Sequence, residues 1–113
     1  MRESIPPGTL DMLILGSLAR GRGERHGFEI AESIAATSGE VFSVEEGSLY
    51  PALQRLLAQG WVTGEWGHTA DGRRARYYRL TPAGRRQLGT AIGAYSRTTK
   101  AIAAVLDLSI ALG

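Results

Sequence analysis

EEGSLYPALQRLLAQGWVTGEWGHTADGRRARYYRL, residues 45–80, changes its hydrophobic period midway, and that change decides the fold. Up to Gly60 the apolar residues recur at helical spacing. On a helical wheel Leu49, Ala52, Leu53, Leu56 and Leu57 share one arc, and Ser48, Pro51, Gln54, Arg55 and Ala58 fall on the opposite one. Pro51 lies close to the start of this helix, where first-turn N–H groups have no intrahelical partner. Beyond Gly60, WVTGEW and ARYYRL carry the aromatic and β-branched residues of strands, and Asp71-Gly72 between them is a hairpin signal. If Leu80 faces inward, Tyr78 shares its side and Tyr77 and Arg79 point outward. A two-stranded hairpin needs a helical layer beneath it, and the flanking sequence supplies one.

Upstream, IPPGTLDMLILGSLARG predicts a helix entered through extended Pro6 and Pro7, N-capped by Thr9 and stopped at Gly21. Leu10, Leu13, Ile14, Leu15 and Leu18 cover more than half its circumference, so it is central to the core or to a subunit contact. After a short charged turn, Gly21–Arg25, the run HGFEIAESIAATSG predicts a second helix ending at Gly39. Downstream, Thr81-Pro82 is an N-cap followed by an N1 proline. From there Leu88, Ile92, Tyr95, Thr99, Ile102 and Leu106 follow one another at intervals of 4, 3, 4, 3 and 4. That is a heptad seam on a helix roughly 35–40 Å long. The chain is therefore expected to be mainly α with a small β-hairpin. A winged helix-turn-helix occupies residues 1–81 and a long C-terminal dimerisation helix residues 82–113, as one compact unit.

The composition excludes much else. At 113 residues and 43% hydrophobic content the chain has the makings of one globular core. It contains no cysteine, so disulfides, thiolate metal sites and thiol nucleophiles are all excluded. His26 and His68 are the only imidazoles, and neither has a triad arrangement around it. Two histidines without cysteine make a poor metal set, and Gly21-Arg22-Gly23 lacks the context of a nucleotide-binding loop. No enzyme activity, metal or cofactor is expected. No apolar run is long enough to span a bilayer, so a cytoplasmic protein without membrane contact is expected.

The net charge of +2 conceals an asymmetry, because residues 1–71 sum to −5 while residues 72–106 carry eight basic side chains and no acidic one. A localised basic block suits an anion-binding face. On the 45–60 helix, Gln54 can pair with adenine, Arg55 with guanine or phosphate, and Tyr50 at the edge of the arc can reach a phosphate. An ordinary amphipathic helix would show the same arc. The basic hairpin that follows, with Arg73, Arg74 and Arg76 after the turn, is what favours double-stranded DNA. A winged-helix module that binds protein instead of DNA is the alternative, and the acidic first part gives it standing.

The runs VEEGSLYPALQRLLAQGWV and EWG…DGRRARYYRLTPAGRRQL, with GTLDMLILGSLARG and HGFEI before them, resemble the PadR family of bacterial transcriptional regulators over roughly residues 6–90. The resemblance implies a dimeric winged-helix repressor on a palindromic operator, of the short-tailed type with one C-terminal dimerisation helix. Carried across, it places Ser48, Tyr50, Pro51 and Gln54 in the reading helix and Arg73, Arg74 and Arg76 in the wing. It also places His26 where family members touch phosphate.

The expected DNA-binding set is thus His26, Ser48, Tyr50, Pro51, Gln54, Arg55, Arg73, Arg74, Arg76, Tyr77 and Arg79. The expected homodimer contacts are Leu10, Leu13, Ile14, Leu88, Ile92, Tyr95, Thr99, Ile102 and Leu106. Tyr95, an aromatic amid an aliphatic stripe, is the candidate to line a pocket for a small, flat aromatic effector.

Overall fold

A computed structural model describes residues 5, 6 and 8–108 of the chain; residues 1–4, 7 and 109–113, Pro7 among them, lie outside the described residues. The elements run α1 (Leu10–Arg20), β1 (Arg25–His26), α2 (Gly27–Thr37), α3 (Glu46–Ala58), β2 (Val62–His68), β3 (Arg74–Leu80) and α4 (Pro82–Val105). Three helices, a wing and a long final helix therefore stand in the expected order. The hairpin gains a third strand, because Arg25 and His26 pair antiparallel with Tyr78 and Tyr77, giving the order β1-β3-β2. Two residues are too few to show a strand period, and their pairing is decided by tertiary contact with β3.

One side of the hairpin seals the core. The register pairs Val62 with Leu80 and Gly64 with Tyr78, and Val62, Tyr78 and Leu80 are all buried. They close over Ile14, Leu15 and Leu18 of α1, Ile30 and Ile34 of α2, and Leu49, Ala52, Leu53 and Leu56 of α3. Each Val, Leu or Ile among them contributes about 1.5–3 kcal/mol by leaving water. α1 is the hub, touching α2, α3, α4 and β3. Thr9 stands at its N-cap position but makes no side-chain cap bond, because its backbone is already in the right-handed helical region.

Pro51 falls in the second turn of α3, since the helix begins at Glu46. The sequence predicts a first-turn position for it; the observed boundary instead leaves the Gly47 carbonyl without an intrahelical donor from residue 51. At the wing tip, Gly72 takes a φ of 85°. The turn is closed by Thr69 N donating to Arg73 O at 2.8 Å and Gly72 N donating to Thr69 O at 2.9 Å.

Thr81 caps α4 as expected, its Oγ1 accepting from Gly84 N at 3.0 Å and donating to Gly60 O at 2.7 Å. Gly84 then lets the helix pass the backbone of Trp61, where a Cβ would lie 2.0 Å from the carbonyl oxygen. Only Gly84 and Ala103 of α4 are buried in the chain itself. Ile92, Tyr95, Ile102 and Leu106 are 54–60% exposed.

Candidate nucleic-acid interface

The α3 surface divides as its periodicity dictates. Leu49, Ala52, Leu53 and Leu56 are buried while Ser48, Tyr50, Pro51, Gln54 and Arg55 are exposed. Tyr50 leans toward α2, because a Cβ on Gly27 would lie 3.0 Å from its hydroxyl. Arg55 leans the other way, its guanidinium held by Asp11 of α1 through two hydrogen bonds.

Strand alternation sorts the wing residues onto two faces. Arg74 and Arg76 share the side of Tyr78 and Leu80, opposite His68 and Trp66 of β2. Arg74 lies over the Trp66 ring at 4.3 Å from its centre. Arg76 crosses the bare backbone of Gly64, where a Cβ would meet its Nε at 2.6 Å, and its guanidinium is 5.9 Å from the Tyr78 ring centre. That Nε is buried without a hydrogen-bond partner among the described residues. Burial pushes the Tyr78 phenol above its ordinary value, the Arg76 charge opposes this, and neighbouring Tyr50 adds a smaller upward push. Tyr50, Tyr78, Arg76, Trp66 and Arg74 thus form a continuous run from α3 to the wing.

Tyr77, Arg79 and His26 occupy the other face. The Tyr77 hydroxyl donates to His68 O at 3.2 Å, and Arg79 lies 3.5 Å from Glu24. His26 is the N-cap of α2: its Nδ1 accepts from Glu29 N at 3.4 Å while Glu29 Oε1 accepts from His26 N at 3.0 Å. Its ring also meets Tyr77 edge-on at 5.4 Å. Arg73, at the tip, has a side chain 85% exposed and 3.7 Å from Asp71.

Trp66 is the residue that sequence reading missed. Its signal was present, because an Asp71-Gly72 turn with two-residue alternation sets it beside the wing arginines. Among the described residues no cluster of His, Cys, Asp or Glu could hold a metal ion, and no helix is long and apolar enough to cross a membrane.

The seam residues separate in a different way. Leu13, Leu88, Ile92 and Tyr95 border an open apolar groove of about 700 Å³ between α1, α2 and α4. Leu10 lies instead beside the start of α3. Ile14 is corrected as a subunit contact: at 0% exposure it is wholly enclosed by its own chain and has no surface to offer another.

Residues 14–90 match the sequence pattern of the Transcriptional regulator PadR-like family. The chain belongs to this family. It is 42% identical over 65 residues to Transcriptional regulator Rv3488 of Mycobacterium tuberculosis, covering 58% of this chain and 57% of that protein. Among solved structures, a transcriptional regulator from Clostridium thermocellum superposes with a TM-score of 0.74 at 30% identity, over 84% of this chain and 90% of its own. PadR of Bacillus subtilis, whose structure is in complex with operator DNA, superposes with a TM-score of 0.65 at 26% identity. That match covers 77% of this chain and 48% of the Bacillus protein. This PadR-like chain is a transcriptional regulator with a winged-helix fold and a long C-terminal helix.

Proposed function

We propose that this regulator is a homodimeric repressor that reads a pseudo-palindromic operator. The observation that carries the reading is the run from exposed Ser48, Tyr50, Pro51 and Gln54 on α3, across half-buried Arg76, to exposed Trp66 and Arg74 on the wing. α3 enters the major groove with its N-terminal half, where Gln54 meets base edges. Arg73, Arg74 and Arg76 follow the sugar-phosphate backbone beside it. Tyr77, Arg79 and His26 support this surface from the far side of the sheet, since each already has an intramolecular partner.

The second copy seats on the α4 seam. A 24-residue helix that buries only Gly84 and Ala103 leaves Ile92, Tyr95 and Ile102, with Leu106 at its C-cap, for a twofold mate. Leu13, Leu88 and Thr99 complete that contact. Two reading helices then stand about 34–36 Å apart, one turn of DNA. A flat aromatic effector stacks beside Tyr95 at the edge of the apolar groove and releases the operator. If Tyr95→Ala changes neither self-association nor ligand-induced tryptophan quenching, the effector part is withdrawn.

The test of the main reading is a gel-retardation assay with the DNA upstream of the protein's own gene. A retarded duplex is expected, with weaker and less selective binding by a folded Gln54→Ala variant. Wild-type protein that retards no duplex at low salt would leave a protein-binding module as the better description.

A further inference from the structure

The side-chain pair that ties α3 to α1 assigns Arg55 a different task from its neighbours. Its Nη2 donates to Asp11 Oδ1 at 2.7 Å and its Nε donates to Asp11 Oδ2 at 3.2 Å. Both carboxylate oxygens are thus engaged by one forked guanidinium, the geometry that makes such pairs directional. The residues are 44 positions apart in sequence, so this is a tertiary link between two helices.

We propose that Arg55 is a positioning residue, which with Asp11 fixes the roll of the reading helix on α1 and does not itself contact DNA. The inference rests on the operator-binding reading above. At 3.6 residues per turn, Arg55 and Tyr50 lie roughly 140° apart around α3. Tyr50 rests on Gly27 at one flank, and Arg55 is tethered to Asp11 at the other. The helix is therefore held from both sides, with Gln54 and Pro51 presented between.

Three observations separate this from a direct contact. The Asp11 carboxylate cancels the charge that would attract a phosphate and repels one that approaches. The hydrogen bond to Asp11, and then its charge, push the guanidinium further above its ordinary value, so Arg55 stays charged beside the carboxylate. Asp11 also sits in the first turn of α1, where a carboxylate is favoured by the helix dipole. α1 carries Met12 and Leu13 on the wall of the apolar groove. The same helix thus borders the seam and orients the reading surface.

The experiment measures operator affinity across a salt series for the full-length protein and for Asp11→Ala, Arg55→Ala, the double variant, Arg55→Lys and the exchange Asp11→Arg/Arg55→Asp. Each single alanine should weaken binding about two- to fivefold. The double variant should lose no more than either alone, and the salt slope should not change. Arg55→Lys, which keeps the charge and loses the fork, should behave like Arg55→Ala. The exchanged pair should recover affinity to within about twofold of wild type. A direct phosphate contact gives the opposite pattern: Arg55→Ala lowers the slope by about 0.9, Arg55→Lys binds normally, and Asp11→Ala binds as well as wild type or better. That pattern, additive losses, or no recovery on exchange overturns the inference while leaving the regulator reading standing. A wild-type protein that binds no duplex overturns both.

Discussion

Arg74 carries its guanidinium 4.3 Å above the Trp66 ring, an arginine and an indole of adjacent strands stacked on one face of the wing. Trp66 is 60% exposed, so the pair covers little apolar surface. Its main effect is to hold the Arg74 guanidinium in place over the indole. An exposed stack of this kind contributes about 0.5–1 kcal/mol and reduces the rotamer freedom that the arginine loses on meeting a phosphate. In a Trp61→Phe background Trp66 is the sole tryptophan. Its emission should change on titration with the operator duplex, and Trp66→Ala should weaken binding about two- to fivefold. Emission that ignores saturating DNA would remove the wing from the interface.

Salt dependence separates the wing arginines from the rest. Each phosphate neutralised contributes about −0.9 to the slope of log K against log salt. Arg73 and Arg74 are exposed; among the described residues Arg74 has no ion pair, and Arg73 pairs with Asp71 at 3.7 Å through side chains 85% and 69% exposed, where solvent screens the attraction. The double Arg73→Ala/Arg74→Ala variant should flatten the slope by nearly 2. Arg79→Ala, already paired to Glu24 at 3.5 Å, should flatten it by less than about half of one contact.

The approach of α4 to the hairpin depends on the missing side chain at Gly84. A Cβ there would stand 2.0 Å from Trp61 O and 3.1 Å from Leu80 Cδ2. The first obstacle is backbone and cannot rotate away, so Gly84→Ala must displace the start of α4 or the β2 entry. A cost of about 1–3 kcal/mol follows, or roughly 4–8 °C in Tm for each kcal/mol. Thermal unfolding followed by circular dichroism measures it, with Gly89→Ala, which meets nothing within 4 Å, as the matched control.

Sequence periodicity exposed the helices and the hairpin because each buries one face, and an amphipathic pattern is the imprint of that burial. Leu49, Ala52, Leu53 and Leu56 show it for α3, and Val62, Tyr78 and Leu80 for the wing. What escaped were features decided by partners remote in the chain. Arg25 and His26 become a strand only because β3 offers an edge. Arg55 looks like any outward-facing arginine until α1 brings Asp11 to it. Ile14 belongs to a helix apolar on most sides, and only the packed fold shows which of its apolar residues are enclosed. Family resemblance could name the reading helix but not the direction in which each of its side chains is held.

The wing turn has its own pH dependence. The Thr69 hydroxyl donates to Asp71 Oδ1 and accepts from Arg73 N at 3.1 Å. The hydroxyl's hydrogen bond is the main cause that holds the Asp71 carboxyl below its ordinary value, with the backbone of Asp71 and Arg73 and the charge of His26 assisting and partial desolvation opposing. A carboxyl depressed in the folded state stabilises the turn above the unfolded value of about 3.9, and that contribution disappears as pH falls through the lower folded value. The Arg73 and Gly72 amide resonances should therefore titrate with a midpoint below about 3.9, and Asp71→Asn should abolish the titration. A midpoint at or above the ordinary value would show the turn to be free of this bond.

Self-association is the prediction on which operator reading depends most. Ile92, Tyr95 and Ile102 on one stripe of α4 and Leu106 at its C-cap are 56%, 54%, 54% and 60% exposed, and large apolar stripes are rarely left to water on a soluble monomer. A charge in the middle of such a seam must be desolvated twice in a twofold dimer, once on each copy, without a partner to offset it. Ile92→Glu should thus convert a dimer to a 12.1 kDa monomer in sedimentation at micromolar concentration, with far-UV circular dichroism retained because Ile92 contributes little to its own chain's core. Operator affinity should fall by about 10²-fold or more, since the second reading helix no longer arrives pre-linked to the first. Binding of isolated half-sites should change far less, because α3 and the wing are untouched. Equal losses on whole and half operators would mean that the substitution damages the reading surface itself. An Ile92→Glu variant that remains dimeric would move the subunit contact off the α4 stripe.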